Sequence, residues 1–274
     1  MNRTLKEKIR QFLPKRLKGH RIRRGFLKGA VIFTSWRDYP GAIRGTTEER
    51  LLDWFRRNVH SGETWIDVGA HYGYTALALA RLVGPQGAVV AFEPVMASAG
   101  CMGITRQLND CSQLRIAPFA LGAETGIHTF NLPVYRGMAD STLRVGDWIE
   151  PLLVTSFDHI WPSLNVAGER VHGVKIDVQG MEIEVLKGMR QMLLRDHPKL
   201  VVEFHTGVDR KAALNLLAGV GYDTTAHPVE GSDSIEIADD KSYAFESLGA
   251  DVNVLPGLSE DKLQGQLNLP RTPR

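Results

Sequence analysis

The sequence predicts an α/β fold in which a mostly parallel sheet carries helices on both of its faces. Short apolar segments, typical of buried strands, alternate along the chain with helical segments of about 10–15 residues. A glycine-rich turn follows the first of the long apolar segments. This pattern describes successive βαβ units, which place their ligands at the carboxyl ends of the strands.

The elements are predicted from hydrophobic periodicity and from flanking turn residues. The predicted strands are Thr64–Val68, Ala88–Phe92, Leu114–Phe119, Ile127–Leu132, Leu152–Phe157, Val171–Val178, Leu200–Phe204 and Asp251–Leu255. The predicted helices are Glu48–Asn58, with Thr46 or Thr47 as its N-cap, and then Tyr74–Val83, Val95–Leu108, Met181–Leu194 and Arg210–Leu217. The strands at 127–132 and 152–157 are expected to form a hairpin. Residues 229–251 hold seven acids and one lysine, which indicates a surface excursion.

The charge of the chain divides it into unequal parts. Residues 1–28 contain eleven Lys or Arg and one acid, whereas the rest of the chain contains 22 basic and 30 acidic residues. The two charges, +10 and −8, give the formal net charge of +2. We predict a basic amphipathic arm over 1–25, one folded domain over 26–255 and a flexible tail over 256–274. A composition of 43% hydrophobic and 23% charged residues is that of an ordinary globular protein.

The arm carries an apolar stripe at helical spacing, formed by Leu5, Ile9, Phe12 and Leu13. A basic amphipathic helix of this kind can bind an anionic membrane surface, and the same charge can bind a nucleic acid or another polyanion. The alternative is a solvated extension whose stripe packs on the body.

Several classes of protein are not expected. The sequence contains no apolar run of 18 residues and no apolar core of a secretory signal, and Cys101 and Cys111 form no metal-ligand or disulfide pattern. We therefore expect a cytoplasmic protein, peripheral to the inner face of the membrane if the arm binds lipid.

The glycine-rich turn has the features of a nucleotide-cofactor site. Asp67, Gly69, His71 and Gly73 lie between a strand and a helix, and Glu93 ends the next strand twenty residues after Gly73. A carboxylate in that place can accept hydrogen bonds from both hydroxyls of a ribose. A dinucleotide site requires G-x-G-x-x-G, which is absent here, whereas D-x-G-x-x-x-G is similar to motif I of S-adenosylmethionine-dependent methyltransferases.

Further segments make the resemblance specific. The segments "IDVGAHYGYTALALA", "GAVVAFEP", "APFALG", "VKIDVQGMEIEVLKGM" and "LVVEFH" occur in this order and together resemble the FkbM family of S-adenosylmethionine-dependent methyltransferases. The resemblance covers residues 26–225. It implies a class I methyltransferase (Rossmann-like) fold, a three-layer sandwich whose seven-stranded, mostly parallel sheet has an antiparallel last strand. It also implies S-adenosyl-L-methionine as cofactor and O-methylation of secondary metabolites or saccharides.

The sequence departs from the family pattern at two places. His71 stands where asparagine is commoner, so one hydrogen bond near the cofactor is expected to differ. No acid follows the third strand. The adenine is therefore expected to lie against backbone and apolar groups around Ala117 and Ala120.

Three polar residues are candidates for catalysis. Asp177 follows an apolar strand, and Glu203 and His205 lie two residues apart on the next one, so that all three reach the rim that carries the glycine turn. The hypothesis is that His205 or Asp177 removes the proton of an acceptor hydroxyl. The set could also bind a divalent metal, which is not the favoured interpretation. Alternatively, Asp177 and Glu182 organise the strand–helix turn.

The predicted function is S-adenosylmethionine-dependent methylation, with a hydroxyl of a small molecule or glycan as acceptor. Alternatives are an RNA methyltransferase, a non-catalytic binding protein that retains the fold, and an NAD-dependent oxidoreductase, against which the glycine spacing argues. The chain has no motif of a base-amine methylase and no recognised RNA-binding module, and its oligomeric state is left open.

Overall fold

The computed structural model describes residues 12–132, 148–165, 168–229 and 237–249. The strands are β1 (Lys18–Arg21), β2 (Val31–Thr34), β3 (Thr64–Val68), β4 (Ala88–Phe92), β5 (Leu114–Ala117), β6 (Ala120–Leu121), β7 (Gly126–Leu132), β8 (Trp148–Thr155), β9 (Gly173–Ile176), β10 (Lys199–Phe204), β11 (His227–Pro228) and β12 (Lys241–Phe245). The helices are α1 (Pro40–Arg44), α2 (Glu49–Asn58), α3 (Tyr74–Val83), α4 (Met96–Leu108), α5 (Phe157–Leu164), α6 (Glu182–Gly188), α7 (Arg190–Asp196) and α8 (Arg210–Ala218).

The central sheet has seven strands in the order β11-β12-β10-β9-β3-β4-β5. The five strands from β10 to β5 are parallel, and β12 is antiparallel to β10. The predicted mostly parallel sheet with an antiparallel last strand is therefore confirmed. The chain leaves β3 toward β4 on one side and returns to β9 on the other, which opens a crevice at the carboxyl end of β3.

The last strand is not where the sequence predicted it. Asp251–Leu255 lies outside the described residues, and β12 falls within residues 229–251, which were predicted as a surface excursion. Tyr243 and Phe245 are buried, because β12 pairs with the central strand β10 along its whole length. The acidic residues on either side of this short strand made the segment resemble a polar surface loop, so the sequence did not indicate a strand.

Alternation along the strands builds a core on each face of the sheet. Trp65 and Val89 pack with α2 and α3, whereas Ile66 and Val90 pack with the helices α5 to α8. Successive side chains of a strand point to opposite faces, so a strand buried on both faces is apolar throughout. This is the predicted three-layer arrangement.

The N-terminal region adds a unit that the sequence did not predict. Strands β1 and β2 form an antiparallel pair that lies on α4, where Thr105 Oγ1 and Asn109 Oδ1 accept the backbone N–H groups of Phe33 and Val31. Residues 18–21 of the predicted basic arm therefore pair with the body. The first part of the arm, with Leu5 and Ile9, lies outside the described residues, as does the predicted tail at 256–274.

Several predicted boundaries are wrong for local reasons. The helix predicted over 181–194 is two helices, α6 and α7, and a Cβ on Gly188, the last residue of α6, would lie 1.9 Å from the carbonyl oxygen of Gly122. Neither Thr46 nor Thr47 caps α2, since Glu48 occupies the N-cap with a φ of 55° and no side-chain cap. The hairpin of β7 and β8 is confirmed, but Phe157 belongs to α5. None of the helices in the described ranges is long and apolar enough to cross a bilayer.

Candidate active site

The glycine turn after β3 lies against the carboxyl end of β9. Gly69 has a φ of 78°, and a Cβ placed on it would lie 1.8 Å from the carbonyl oxygen of Asp177. Only glycine tolerates both this backbone conformation and this approach. The turn is thereby held next to Asp177, one of the predicted catalytic residues.

Glu93 closes the other side of the turn. Its carboxylate accepts the backbone N–H of His71 at 2.7 Å and that of Val95 at 2.9 Å. Burial raises the pKa of Glu93 to about 7 despite these two hydrogen bonds. A carboxylate has about four acceptor sites, so Glu93 retains sites that can face a ligand.

The seven predicted cofactor residues divide into two groups. Those that line a cavity at this edge of the sheet are Gly69, His71, Glu93 and Ala120. The other three, Asp67, Gly73 and Ala117, do not line the cavity but contact or pack behind residues of the turn.

The supporting contacts are specific. Asp67 accepts a hydrogen bond from the hydroxyl of Thr75 at 2.6 Å, and the carbonyl of Ala117 accepts the N–H of Glu93. Gly73 lets α3 approach α4, since a Cβ there would lie 2.6 Å from Cγ of Met102. These three residues stabilise the turn and are not themselves among the residues that line the cavity.

The cavity has a volume of about 320 Å³, and its lining residues form two chemically different groups. The first group is the turn with Glu93 and an apolar wall of Phe92, Phe119, Leu121 and Phe130. The second group, which we call the polar end, consists of ionisable and polar side chains from several elements, namely Tyr39, Thr47, Glu48, Lys175, Asp177, Gln179 and Glu203. A cavity of this volume suits an organic ligand.

The three predicted catalytic residues meet at the polar end. His205 Nε2 lies 3.5 Å from both Asp177 Oδ1 and Glu203 Oε1. The parallel neighbours β9 and β10 bring these positions together, as the sequence analysis expected. Asp177 and Glu203 line the cavity, whereas His205 is buried behind them.

Lys175 is the main residue that the sequence analysis missed. Its buried ammonium lies 3.3 Å from Asp67 Oδ1 and 3.3 Å from Asp177 Oδ2, and it donates to the carbonyl of Gly69. One side chain thus connects the glycine turn with the end of β9. A signal was present, because a lysine in a buried apolar strand requires a partner and Asp177 lies on the same face two residues later.

His205 is held in place by two further side chains. Its Nδ1 lies 2.7 Å from Glu182 Oε1, and its Nε2 lies 2.7 Å from the amide nitrogen of Gln179. Glu182 is in the first turn of α6 and also accepts the N–H of Gly180. The alternative role proposed for Glu182, organising the strand–helix turn, therefore agrees with its position. Asp177 instead bonds to Lys175 and Gln179.

The cluster displaces the pKa values of its members in different directions. Burial raises the pKa of Glu203 to about 8, and the negative charge of Asp177 adds to the shift. For Asp177 burial acts in the same sense, but Lys175 and His205 outweigh it and lower the pKa. Burial opposes the charge of His205, yet the hydrogen bond to Glu182 and the charges of Asp177 and Glu203 raise its pKa to about 9.

The same three residues are the described group with the spacing of metal ligands, since one ligand atom from each lies within 4.8 Å of the others. Two features weigh against a metal ion. Lys175 already places a positive charge 3.3 Å from Asp177 Oδ2, and the amide nitrogen of Gln179 lies 2.7 Å from Nε2 of His205, the ring nitrogen that faces the two carboxylates. A hydrogen-bonded network with its own cation describes these contacts better than an open ligand set.

Residues before β3 complete the polar end, and nothing in the sequence linked them to it. Tyr39 lies between β2 and α1, and its ring is 5.2 Å from that of His71 and 6.1 Å from that of Tyr72. Thr47 and Glu48 precede α2 and also line the cavity. Only the packing of the N-terminal unit brings these residues to the site.

The chain is similar to several solved structures. A solved FkbM methyltransferase from Methylobacillus flagellatus KT matches at 16% identity with a TM-score of 0.48, covering 71% of this chain and 50% of that protein. An rRNA methylase from Streptococcus thermophilus matches at 11% identity and a TM-score of 0.45 over 73% and 96% of the two chains. Aeropyrum pernix fibrillarin, solved with bound S-adenosyl-L-methionine, matches at 13% identity and 0.43 over 69% and 68%.

The match to the Methylobacillus protein spans only half of that protein's length. A comparison with curated proteins finds no match.

The strand order described above is that of a class I methyltransferase, which confirms the predicted fold. The family model for the methyltransferase FkbM domain matches residues 67–224, which extend from the end of β3 to a point just after α8. Because this match covers more than half of the chain, the protein belongs to the FkbM methyltransferase family.

Proposed function

We propose that this protein transfers a methyl group from S-adenosyl-L-methionine to a hydroxyl of a small molecule, with a saccharide or a secondary metabolite as the acceptor class. One observation carries the proposal. A single cavity is lined both by the glycine turn with Glu93 and by the Asp177–Glu203 carboxylate pair. A nucleotide-type ligand and a nucleophile held in this cavity would lie side by side.

The first end has the chemistry that the cofactor requires. Glu93 would accept the ribose hydroxyls with the acceptor sites that His71 and Val95 leave open. Phe119 and Ala120 would pack against the adenine, and the turn at Gly69 would face the amino-acid portion. S-adenosyl-L-methionine, when bound, supplies a methyl group on a positively charged sulfur.

The second end has the chemistry that a hydroxyl acceptor requires. An alcohol is a poor nucleophile, so its proton must pass to a base during methylation. Glu203 is the best candidate for this base, because it faces the cavity and burial raises its pKa to about 8. A base acts most efficiently when its pKa lies near the working pH. The sequence hypothesis had named His205 or Asp177 for this role.

The neighbours of Glu203 position the acceptor and the base. Asp177, whose pKa is lowered, stays ionised and can accept a hydrogen bond from the acceptor. Lys175 holds the Asp177 carboxylate in place. Glu182 fixes the ring of His205 through Nδ1, which orients Nε2 toward Glu203. The proton that the hydroxyl loses would reside on Glu203, within the hydrogen-bond reach of this network.

The proposal is tested by two linked measurements on the full chain. Calorimetry with S-adenosylmethionine, its demethylated product and NAD⁺ should show binding of the first two ligands and none of the third. A screen with methyl-labelled cofactor should then transfer label to hydroxylated small molecules or saccharides. Failure to bind S-adenosylmethionine would refute the enzyme assignment, and label transfer to RNA alone would favour an RNA methyltransferase.

A further inference from the structure

The surface formed by residues 12–28 and α4 combines positive charge with exposed apolar side chains. Seven cations in the first segment are exposed, namely Lys15, Arg16, Lys18, Arg21, Arg23, Arg24 and Lys28. The sequence has no Asp or Glu between Phe12 and Arg37, and none between Val95 and Leu108. Among the described residues, none of these seven cations forms an ion pair with a carboxylate.

Apolar side chains lie between and beside these cations. Phe12 is 89% exposed and Leu17 is 45% exposed. On α4, Met96, Ile104 and Leu108 recur at multiples of four residues and are 83%, 37% and 48% exposed. The opposite side of α4, with Met102 as one of its residues, is buried in the core. The stripe on α4 is therefore a second, outward apolar face of an otherwise well-packed helix.

The two segments form one continuous surface. A Cβ placed on Gly19 would lie 3.2 Å from Cδ1 of Leu108, so β1 passes directly beside the end of the α4 stripe. The side chain of Asn109 both accepts from and donates to the backbone of Val31, which fixes β2 to the same helix. The basic segment and the apolar stripe thus adjoin each other at the carboxyl end of α4.

We propose that this face, made of residues 12–28 and the Met96–Leu108 stripe of α4, docks on an anionic lipid bilayer. A bilayer with acidic headgroups attracts each nearby cation and also accepts apolar side chains at the boundary between headgroups and acyl chains. A nucleic acid would use the cations, but exposed Leu, Ile and Met side chains have no partner on a phosphate backbone. The combination of both features selects the lipid surface.

The face leads to the active-site cavity from two directions. Strand β2 continues to Asp38 and Tyr39, and α4 begins directly after Pro94 and Val95. Asp38, Tyr39 and Pro94 all line the cavity. Docking would therefore hold the cavity near the bilayer, where a membrane-held acceptor could reach it.

The test is co-sedimentation of the full chain with vesicles at about 0.15 M salt. Vesicles of phosphatidylcholine with about 30% phosphatidylglycerol should bind the protein, and pure phosphatidylcholine should bind it much more weakly. Lys15→Glu with Lys18→Glu should reduce binding by about 30-fold or more, since each cation near the surface contributes about fivefold. Arg57→Glu with Lys211→Glu changes the net charge equally at exposed positions elsewhere and should reduce binding less than about threefold.

A second variant separates lipid from nucleic acid. Phe12→Ser with Leu17→Ser should weaken vesicle binding by about tenfold and leave binding of a short single-stranded RNA unchanged. The lipid proposal is overturned if the anionic vesicles fail to bind the full chain, if the control pair weakens binding as much as the Lys15 and Lys18 pair, or if the apolar variant binds vesicles as well as the unmodified protein. Thermal denaturation and S-adenosylmethionine binding of each variant report on folding and on the proposed cofactor site separately. A failed docking test therefore leaves the proposed function intact.

Discussion

The two ends of the cavity are built in different ways. The turn and Glu93 come from one continuous segment, β3 to β4, and their contacts involve backbone N–H groups and a glycine in the left-handed region. The polar end is built from side chains of separate elements, with Lys175 and Asp177 from the β9 segment and Glu203 and His205 from β10. The first end depends on the path of the chain, and the second depends on the balance of charges.

This difference predicts how each end fails. A change in backbone shape should damage the turn more than a change in charge, because few charged side chains define it. A change in charge should damage the polar end, because its carboxylates are buried beside a single lysine.

Gly69→Ala should destabilise the fold by about 3–6 kcal/mol, or prevent folding. Its Cβ would lie 1.8 Å from the carbonyl oxygen of Asp177, and its φ of 78° is unfavourable for alanine. Gly62→Ala is the matched control, since Gly62 has a φ of 86° but no neighbouring atom within 4 Å of its Cβ. Urea denaturation should give a loss of about 1–2 kcal/mol for the control. Equal losses for the two variants would contradict the close approach.

Lys175→Met should cost about 3–5 kcal/mol of stability, because it leaves the buried Asp67 and half-buried Asp177 without their cation. The pKa of Asp177 should rise at the same time, since Lys175 is the largest influence that lowers it. Lys187→Met removes the exposed ion pair with Glu184 and should cost less than about 1 kcal/mol. A small loss for the Lys175 variant would show that the charge balance does not hold this end together.

Glu203→Gln should lower kcat by about 100-fold to 10,000-fold, because the amide cannot take the proton of the acceptor. The affinity for S-adenosylmethionine should stay within about twofold, since the described contacts of Glu203 are with His205 and Ser242 and not with the turn or Glu93. Glu124→Gln, at an exposed position, serves as the control. Steady-state kinetics and calorimetry separate the two readouts. An unchanged kcat would transfer the role of base to Asp177 or His205.

Glu93→Gln should weaken S-adenosylmethionine binding by about 10-fold to 100-fold, the value of hydrogen bonds to a charged group. The pKa of Glu93 is raised to about 7, and the ionised form is the better acceptor for ribose hydroxyls. The affinity of the unmodified protein should therefore be constant above pH 7 and fall by up to about tenfold per pH unit below it. Calorimetry over this range should find no such dependence in the Gln variant. A fall of equal size in both proteins would assign the titration to another group.

Removal of divalent metal ions should have the smallest effect. Because Lys175 supplies positive charge beside Asp177, treatment with a chelator should change the methylation rate by less than about twofold. Addition of Mg²⁺ or Mn²⁺ after the chelator should likewise leave the methylation rate nearly unchanged. A rate that disappears with the chelator and returns with the metal would establish Asp177, Glu203 and His205 as ligands.

The sequence was sufficient where neighbours in space are also neighbours in the chain. The strands at 64–68 and 88–92 and the helix at 74–83 were predicted with their observed bounds, because buried strands and helices have distinct periods. The helix at 181–194 was predicted as one element, but it is interrupted at Met189, beside the close contact of Gly188 with Gly122. That contact is between residues far apart in the chain and has no local signal.

The candidate site divides in the same way. The sequence determined the family, the class of cofactor turn and the rim position of Asp177, Glu203 and His205, since a motif and the alternation along parallel strands suffice for these. Only the tertiary structure decided that Lys175 joins the turn to β9, that His205 lies behind Glu203, and that Tyr39 lines the cavity. The physical reason is that burial and charge pairing depend on which distant side chains share a low-dielectric space, and local patterns do not encode that proximity.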